Sequence, residues 1–517
     1  MWVRPPSAGQ AACKAALLPL RALPTLTSGA LRTPSPAVGG RTHASDWRVL
    51  HTSLSKRRAR YYLQVGSFFV ESFGCRATQA DGAAIERDLL ARGFTRRPDC
   101  HEATLAVVNT CTVTAAADQD ARSAIRRIHR ENPECRILVT GCYAQRAPEE
   151  ISRIAGVTWV VGNSHKAAIA DIAAAANGFV PVGALQAAGP QPVAKPAEMF
   201  VADIFAHTEL QAAPIFAGDS GWERTRPTLK VQDGCNNRCS FCVIPFVRGR
   251  SRSLPLGRIL GEVDAMVAAG YREIVLSGIN LGRWGRDLEG DRRLRFPSLV
   301  RAVLERTGVE KLRISSVEPM DWNDELIELM AGAARVARHA HVPLQSGSDR
   351  ILRLMHRKYR PWHYADRIRR IREAMPQAAI GADVMAGFPG ESDADFEESY
   401  RFIAGLPFTY LHVFTYSARP GTAAASMPGH VHGAVARERT HRLRELAATK
   451  NRAFRQSLAG ERLQAITLAK QDGQNSTRAL TDNYVKLRLS GRHEANCWMQ
   501  VEVTGLTEDG LEGKPAS

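Results

Sequence analysis

The chain has 517 residues, 44% hydrophobic and 23% charged, the balance of a globular protein of two to four domains rather than a fibrous or disordered one. No apolar run approaches the ~18 residues that span a bilayer, and ten cysteines are too sparse for a disulfide scaffold in a chain this long. The formal charge of +17 is concentrated at the start, where residues 1–60 hold ten Lys and Arg against Asp46 alone; the rest is modestly basic, which permits nucleic-acid binding without requiring it.

Residues 1–60 are rich in Ala, Pro, Ser and Arg. That composition is compatible with an organellar transit peptide. The same Ala/Arg bias runs through the whole chain, so the segment reads instead as a disordered extension or a start site placed too far upstream.

From Phe68 strands and helices alternate. "FFVESFGC", "ATLAVVNTC", "CRILVTGC" and "VTWVVGN" are expected strands, separated by the helical stretches "GAAIERDLLARGF", "AAADQDARSAIRRIHREN" and "RAPEEISRI". This pattern predicts a parallel α/β domain over residues 61–185. Cys75, Cys111 and Cys142 each close a strand, at the edge where ligands of open α/β sheets collect, so the three can meet in space. As single residues they would read as small buried hydrophobes; three at one edge favour shared cluster ligation. Cys13, Cys100, Cys135 and Cys497 have no such placement and read as incidental.

Residues 186–222, with "GPQPVAKPAE", read as a linker or covering loop. Six βα units follow within residues 223–455, which predicts a partial (β/α)6 barrel with its site at the strand C-termini. Residues 456–510 alternate apolar and polar residues between turn signals and predict a small β-barrel.

The chemistry centres on "VQDGCNNRCSFCVIPFVRGRSRS", residues 231–253, which spaces Cys235, Cys239 and Cys242 as C-x3-C-x2-C after the first barrel strand. Such a trio suits zinc, an iron–sulfur cluster or a disulfide. Structural zinc takes four protein ligands, commonly as two C-x2-C pairs, and no second pair lies nearby. Three cysteines on a [4Fe–4S] cluster leave one iron open. That suits S-adenosylmethionine, whose amino and carboxylate groups can chelate it.

With Phe241 in the aromatic slot, this motif resembles the radical S-adenosylmethionine enzymes. "SGINLGRWG" (277–285), "SSVEP" (315–319), "HVPLQSGSDRILRLMHRKY" (341–359), "DVMAGFPGESDADFEES" (383–399) and "LHVFTYSARPGT" (411–422) narrow the resemblance to the methylthiotransferase family. So do "GCRATQ", "NTCTVT" and "TGCYAQ" around the N-terminal cysteines. The resemblance covers residues 66–505 in order. One departure is Thr78, where the family often has Asn. Among the branches, "RGRSRS", "NTCTVT" and "TGCYAQ" are most similar to the one that modifies N6-threonylcarbamoyladenosine in tRNA.

The resemblance implies two [4Fe–4S] clusters. Cys235, Cys239 and Cys242 would hold the radical-generating one, and Cys75, Cys111 and Cys142 an auxiliary one that carries sulfur. It implies S-adenosylmethionine as methyl donor and radical source, and a C-terminal TRAM domain that binds RNA. Phe241, Gly278, Glu318, Gln345, Arg357 and Asp383 are the expected contacts of S-adenosylmethionine. Arg248, Arg250 and Arg252 lie just past the cluster motif, where they would meet tRNA phosphates, with Lys486 and Arg488 on the TRAM unit as further candidates. The implied activity is addition of a methylthio group to C2 of the adenosine at tRNA position 37, in a cytoplasmic monomer served by an electron donor such as flavodoxin or ferredoxin. The alternatives are isopentenyladenosine in tRNA, a ribosomal-protein aspartate, a radical methylase without sulfur insertion, and a zinc-containing tRNA-binding protein without catalysis.

Overall fold

The computed structural model describes residues 66–175, 197–206, 225–289, 294–471 and 475–516. The extension read at residues 1–60 and most of the linker lie outside them. Among the described residues no helix is long and apolar enough to cross a membrane.

The N-terminal sheet contains β1 (Ser67–Ser72), β2 (Thr95–Arg96), β3 (Leu105–Thr110), β4 (Arg136–Gly141), β5 (Val157–Gly162) and β6 (Glu198–Phe200). Its order is β2-β1-β3-β4-β5-β6, and every pair is parallel. The central strand β3 is buried on both faces, as its unbroken apolar run requires. Successive residues feed opposite cores. Leu105 and Val107 pack with Ile85 and Leu89 of the helix Arg76–Ala91. Ala106 and Val108 pack with Ile125 and Ile128 of the helix Ala115–Glu131. Within the stretch read as linker, β6 instead pairs with β5 and adds an edge strand. Three residues are too few to show a period of two, so this strand exists only through its partner.

The central unit follows with β7 (Thr228–Asp233), the two-residue β8 (Arg252–Ser253), β9 (Glu273–Gly278), β10 (Lys311–Ile314), β11 (His339–His341), β12 (Ala379–Ala386) and β13 (Tyr410–Thr415). Parallel pairing joins β7 to β9, β9 to β10, β11 to β12, and β12 to β13. The two halves meet through a bridge from Leu312 to Val336 and the Val317 amide donating to the His341 carbonyl at 3.1 Å. Six parallel strands therefore form the expected partial barrel, with β8 antiparallel to β7 as an extra margin.

The C-terminal unit is a closed five-stranded barrel of β14 (Arg462–Gln471), β15 (Ser476–Thr481), β16 (Lys486–Ser490), β17 (Trp498–Leu506) and β18 (Leu511–Pro515), in the order β14-β15-β16-β18-β17. The inward residues Ala465, Leu487, Leu489, Val501, Val503 and Leu511 fill it. "RALTDNYVKLRL" is two strands around a turn. The closing strand β18 lies wholly beyond residue 510, where the sequence reading stopped.

A buried charge network joins the N-terminal sheet to the partial barrel. Asp81, on the helix Arg76–Ala91, is 2% exposed. It accepts from Lys166 at 2.7 Å, from Arg248 Nη2 at 2.9 Å and from Lys230. Asp233, at the end of β7, accepts from Lys230 at 2.8 Å and from Arg248 Nη1 at 3.0 Å. Burial opposes ionisation of both carboxylates, but the three cations outweigh it and hold both below the usual carboxylate range. Their contribution is present above the unfolded-state value of about 3.9 and is lost as pH falls below it.

Removing Asp81 strands Lys166 in a dry interface and leaves Lys230 and Arg248 with Asp233 alone. Asp81→Ala is expected to cost about 3–5 kcal/mol. It should lower the thermal midpoint and open the junction between the two units to limited proteolysis. Wild-type resistance in the variant would refute the assigned role.

Candidate active site

Four cysteines are placed by strand ends. β1 stops at Ser72, and Gly74 turns the chain at φ +99 so that Cys75 caps the next helix. A Cβ at Gly74 would overlap the Cys111 side chain, so only glycine lets the Cys75 loop approach Cys111 this closely. Cys111 follows β3 and Cys142 follows β4, at the same C-terminal edge. Cys235 follows β7, at the mouth of the partial barrel.

Each trio is mutually close. Burial, then the neighbouring Cys142 and Cys75, push the Cys111 thiol up to about 12. Burial, then Cys239, push Cys242 up to about 12. Polar donors surround the sulfurs. Asn163 Nδ2 lies 3.7 Å from Cys142 Sγ, and the Thr78 hydroxyl lies 3.5 Å from Cys75 Sγ. The Asn237 amide and Asn280 Nδ2 donate to Cys235 Sγ at 3.4 and 3.5 Å. Arg357 Nη1 donates to Cys239 Sγ at 3.2 Å. Such donors stabilise negative charge on sulfur and are the means by which proteins tune iron–sulfur clusters.

Single-ion geometry lies elsewhere. Among the described residues, the three ligand atoms that fall within 4.8 Å of one another belong to His341, Asp383 and His412. The sulfurs of neither cysteine trio close to that radius, whereas one zinc with Zn–S near ~2.3 Å would draw them closer. Two thiol trios, spread and ringed by donors, fit two polynuclear clusters.

A cavity of about 420 Å³ joins the parts. Cys75 lines it together with Cys235, Cys239 and Cys242. So do all six side chains or backbones expected to contact S-adenosylmethionine: Phe241, Gly278, Glu318, Gln345, Arg357 and Asp383. Arg357 is 7% exposed; it pairs with Glu318 and donates from Nε to the Tyr359 hydroxyl at 3.1 Å. Asp383 Oδ1 lies 3.4 Å from His341 Nε2 and 3.2 Å from His412 Nδ1. Burial opposes ionisation of Asp383, but the two imidazoles outweigh it and hold the carboxyl well below the usual range.

Two of the expected RNA contacts are corrected. Arg248 is 1% exposed and spends its guanidinium on Asp81 and Asp233. Arg252 is 9% exposed and donates to the Arg248 carbonyl at 3.0 Å. A basic run after a cluster motif looks like a surface, but here two of the three arginines turn inward, Arg248 to an acid of its own unit and one of the N-terminal domain. Arg250 is exposed. Lys486 and Arg488 are exposed as well, paired with Asp509 at 2.6 Å and Glu512 at 3.5 Å.

The sequence reading missed a wall of Arg76, His339, His341, Tyr410, His412 and Tyr484, all lining the same cavity. His339 and Tyr410 stack with centroids 5.9 Å apart and share a 2.7 Å hydrogen bond. Gly381 leaves room for the Tyr410 ring, which a Cβ there would overlap. Four of these residues had a signal: 339 and 341, and 410 and 412, alternate on inward faces of β11 and β13. Arg76 and Tyr484 had none, since they arrive from other units.

Two family models match. Residues 229–403 match the radical SAM superfamily, and residues 67–162 match the uncharacterized protein family UPF0004. A Bacillus subtilis protein named threonylcarbamoyladenosine tRNA methylthiotransferase MtaB is 36% identical over 82% of this chain and 90% of its own length. A protein of the same name from Aquifex aeolicus is 33% identical over 83% of this chain and 98% of its own. A tRNA-2-methylthio-N(6)-dimethylallyladenosine synthase from Sphingopyxis alaskensis is 34% identical over 79% and 88%.

The chain belongs to the radical S-adenosylmethionine methylthiotransferase family. It is a methylthiotransferase enzyme whose chemistry uses S-adenosylmethionine and iron–sulfur clusters. The cavity and the adjoining sheet edge bring together the two cysteine trios that the sequence singled out.

Anaerobically reconstituted methylthiotransferase should hold about eight irons, the content of two four-iron clusters. A Cys235→Ala/Cys239→Ala/Cys242→Ala variant should retain about four by the same count. Iron and acid-labile sulfide analysis reads this directly. A metal content of zinc in place of iron would overturn it.

Proposed function

We propose that this enzyme replaces the C2 hydrogen of N6-threonylcarbamoyladenosine, at position 37 of tRNA, with a methylthio group. The observation that carries the reading is the shared cavity. It exposes Cys75 of one trio and all of Cys235, Cys239 and Cys242 to one substrate space. Support for the modified nucleoside comes from relatives named for it at 31–36% identity over most of the chain.

When bound, S-adenosylmethionine and the clusters supply the one-electron chemistry and the sulfur that no side chain can provide at an unactivated C–H bond. Arg357, Asn237 and Asn280 set the charge on the sulfurs of Cys235 and Cys239. Glu318 and Arg357 hold each other at the barrel mouth, poised for the amino and carboxylate groups of S-adenosylmethionine. His339, Tyr410 and Tyr484 offer aromatic faces on which a splayed-out adenine stacks. Asp383, ionised between His341 and His412, orients the two imidazoles on that wall. The C-terminal barrel and the exposed Arg250 of the partial barrel take the anticodon arm. An electron carrier such as flavodoxin or ferredoxin serves the enzyme, which acts as a cytoplasmic monomer.

The test is nucleoside analysis of an anticodon stem-loop carrying N6-threonylcarbamoyladenosine after anaerobic turnover. The product should gain one methylthio group in place of hydrogen, and removal of Cys75, Cys111 and Cys142 should abolish it while S-adenosylmethionine cleavage persists. Modification of an isopentenyladenosine stem-loop in its place would move the enzyme to the other tRNA branch.

A further inference from the structure

Tyr484 occupies the turn between β15 and β16 with φ +69, a left-handed backbone uncommon for a bulky residue. Its amide donates to the Thr481 carbonyl at 3.0 Å, which closes the turn. The turn carries the ring out of the C-terminal barrel into the cavity, 4.7 Å from the His339 ring and 6.2 Å from that of Tyr410. Three guanidinium groups lie over this one ring, Arg76 at 5.8 Å, Arg226 at 5.9 Å and Arg313 at 5.3 Å.

Among the described residues, one carboxylate answers them. Glu273 is fully buried; it pairs with Arg313 and, at 3.6 Å, with Arg226. Arg76 is left over. Its Nη2 donates to the Tyr484 hydroxyl at 2.9 Å, and its Nη1 is buried with no hydrogen-bond partner. A guanidinium nitrogen withdrawn from water without an acceptor is unfavourable unless a ligand brings one.

We propose that Arg76, seated on Tyr484, receives the carboxylate of the amino-acid group on N6 of the substrate adenosine. This rests on the reading of that nucleoside as N6-threonylcarbamoyladenosine. A guanidinium and a carboxylate match through parallel N–H···O bonds. Nη1, sealed from water in this arrangement, takes one oxygen when the Arg76 side chain turns toward the cavity it lines. The Tyr484 hydroxyl accepts from Nη2, so its own proton is free for the second oxygen. An isopentenyl group carries neither charge nor acceptor and leaves Nη1 unmet, so the same wall acts against it. Placement follows as well. N6 and C2 flank N1 on one edge of the purine, and Arg76 is the next residue after Cys75. Holding the N6 substituent there keeps C2 close to the sulfur-carrying trio.

S-adenosylmethionine also presents an α-amino-acid carboxylate, and the experiment separates the two sources. The reconstituted full chain is given anticodon stem-loops bearing N6-threonylcarbamoyladenosine or its methyl ester, which lacks the charge. Wild type should favour the acid by about 10- to 100-fold in kcat/KM, the range of a lost charge-assisted hydrogen bond. In Arg76→Gln that preference should disappear with iron content retained. In Tyr484→Phe it should fall several-fold, and this variant decides the matter if Arg76→Gln does not hold its iron. An unchanged acid-to-ester ratio in the variants overturns the proposal. So does a loss of S-adenosylmethionine cleavage measured without RNA in Arg76→Gln, which would assign the carboxylate to the cofactor. Wild-type enzyme that leaves the acid untouched and modifies isopentenyladenosine refutes the substrate reading itself, a result distinct from either.

Discussion

The structure depends on a set of charges withdrawn from water between its first two units. Asp81 comes from the N-terminal domain, Lys230 and Asp233 from the first barrel strand, and Arg248 from the segment just after the cluster motif. Desolvating such groups is costly, and a buried ion network is a weak source of net stability. Its value here is registry. The salt bridges close only when the C-terminal edge of the parallel sheet faces the mouth of the partial barrel. Those are the two places where strand ends deliver cysteines. A sliding interface of apolar side chains would leave the distance between the trios undefined.

From that registry the cavity follows. The barrel contributes its inward faces, where β11, β12 and β13 present His339, His341, Asp383, Tyr410 and His412. The N-terminal domain contributes Cys75 and Arg76, and the C-terminal barrel contributes Tyr484. The third unit is tied down by its own contacts, among them Arg313 Nη1 to the Asp482 carbonyl at 3.0 Å and Lys311 Nζ to Gln464 Oε1 at 2.8 Å. A chain segment read as an RNA-binding appendage thus supplies part of the substrate wall. Chemistry is divided by origin: sulfurs at strand ends, polar and aromatic groups on inward strand faces, and long side chains reaching in from neighbouring units.

Much of this was legible beforehand because its signals are local. C-x3-C-x2-C puts three thiols within one short loop, and loop closure over seven residues leaves them little choice but to share a ligand. Cys75, Cys111 and Cys142 were legible for a related reason. Alternating βα periodicity implies a parallel sheet, and in a parallel sheet equivalent strand ends share one edge. The six-unit barrel and the small closed barrel rest on the same kind of periodic pattern, with side-chain burial repeating every two residues in strands and every three to four in helices. Thr78, the departure from the family pattern, keeps its hydroxyl beside Cys75 Sγ and takes an Arg248 hydrogen bond at 3.4 Å.

By itself the sequence determined the fold class and put the two thiol trios at strand ends and in one short loop, because each follows from spacing along the chain. Only the tertiary structure decided which charges are buried and which side chains cross between units. Arg248 and Arg252 looked like a surface run, yet the acids that Arg248 meets lie 15 and 167 residues away from it, one at the end of β7 and one in the N-terminal domain. β6 had no period of its own and exists through pairing with β5. Arg76 and Tyr484 are 408 residues apart and meet in one hydrogen bond. Such contacts are set by how the packed units dock, and no local pattern encodes a partner that the chain reaches only after folding.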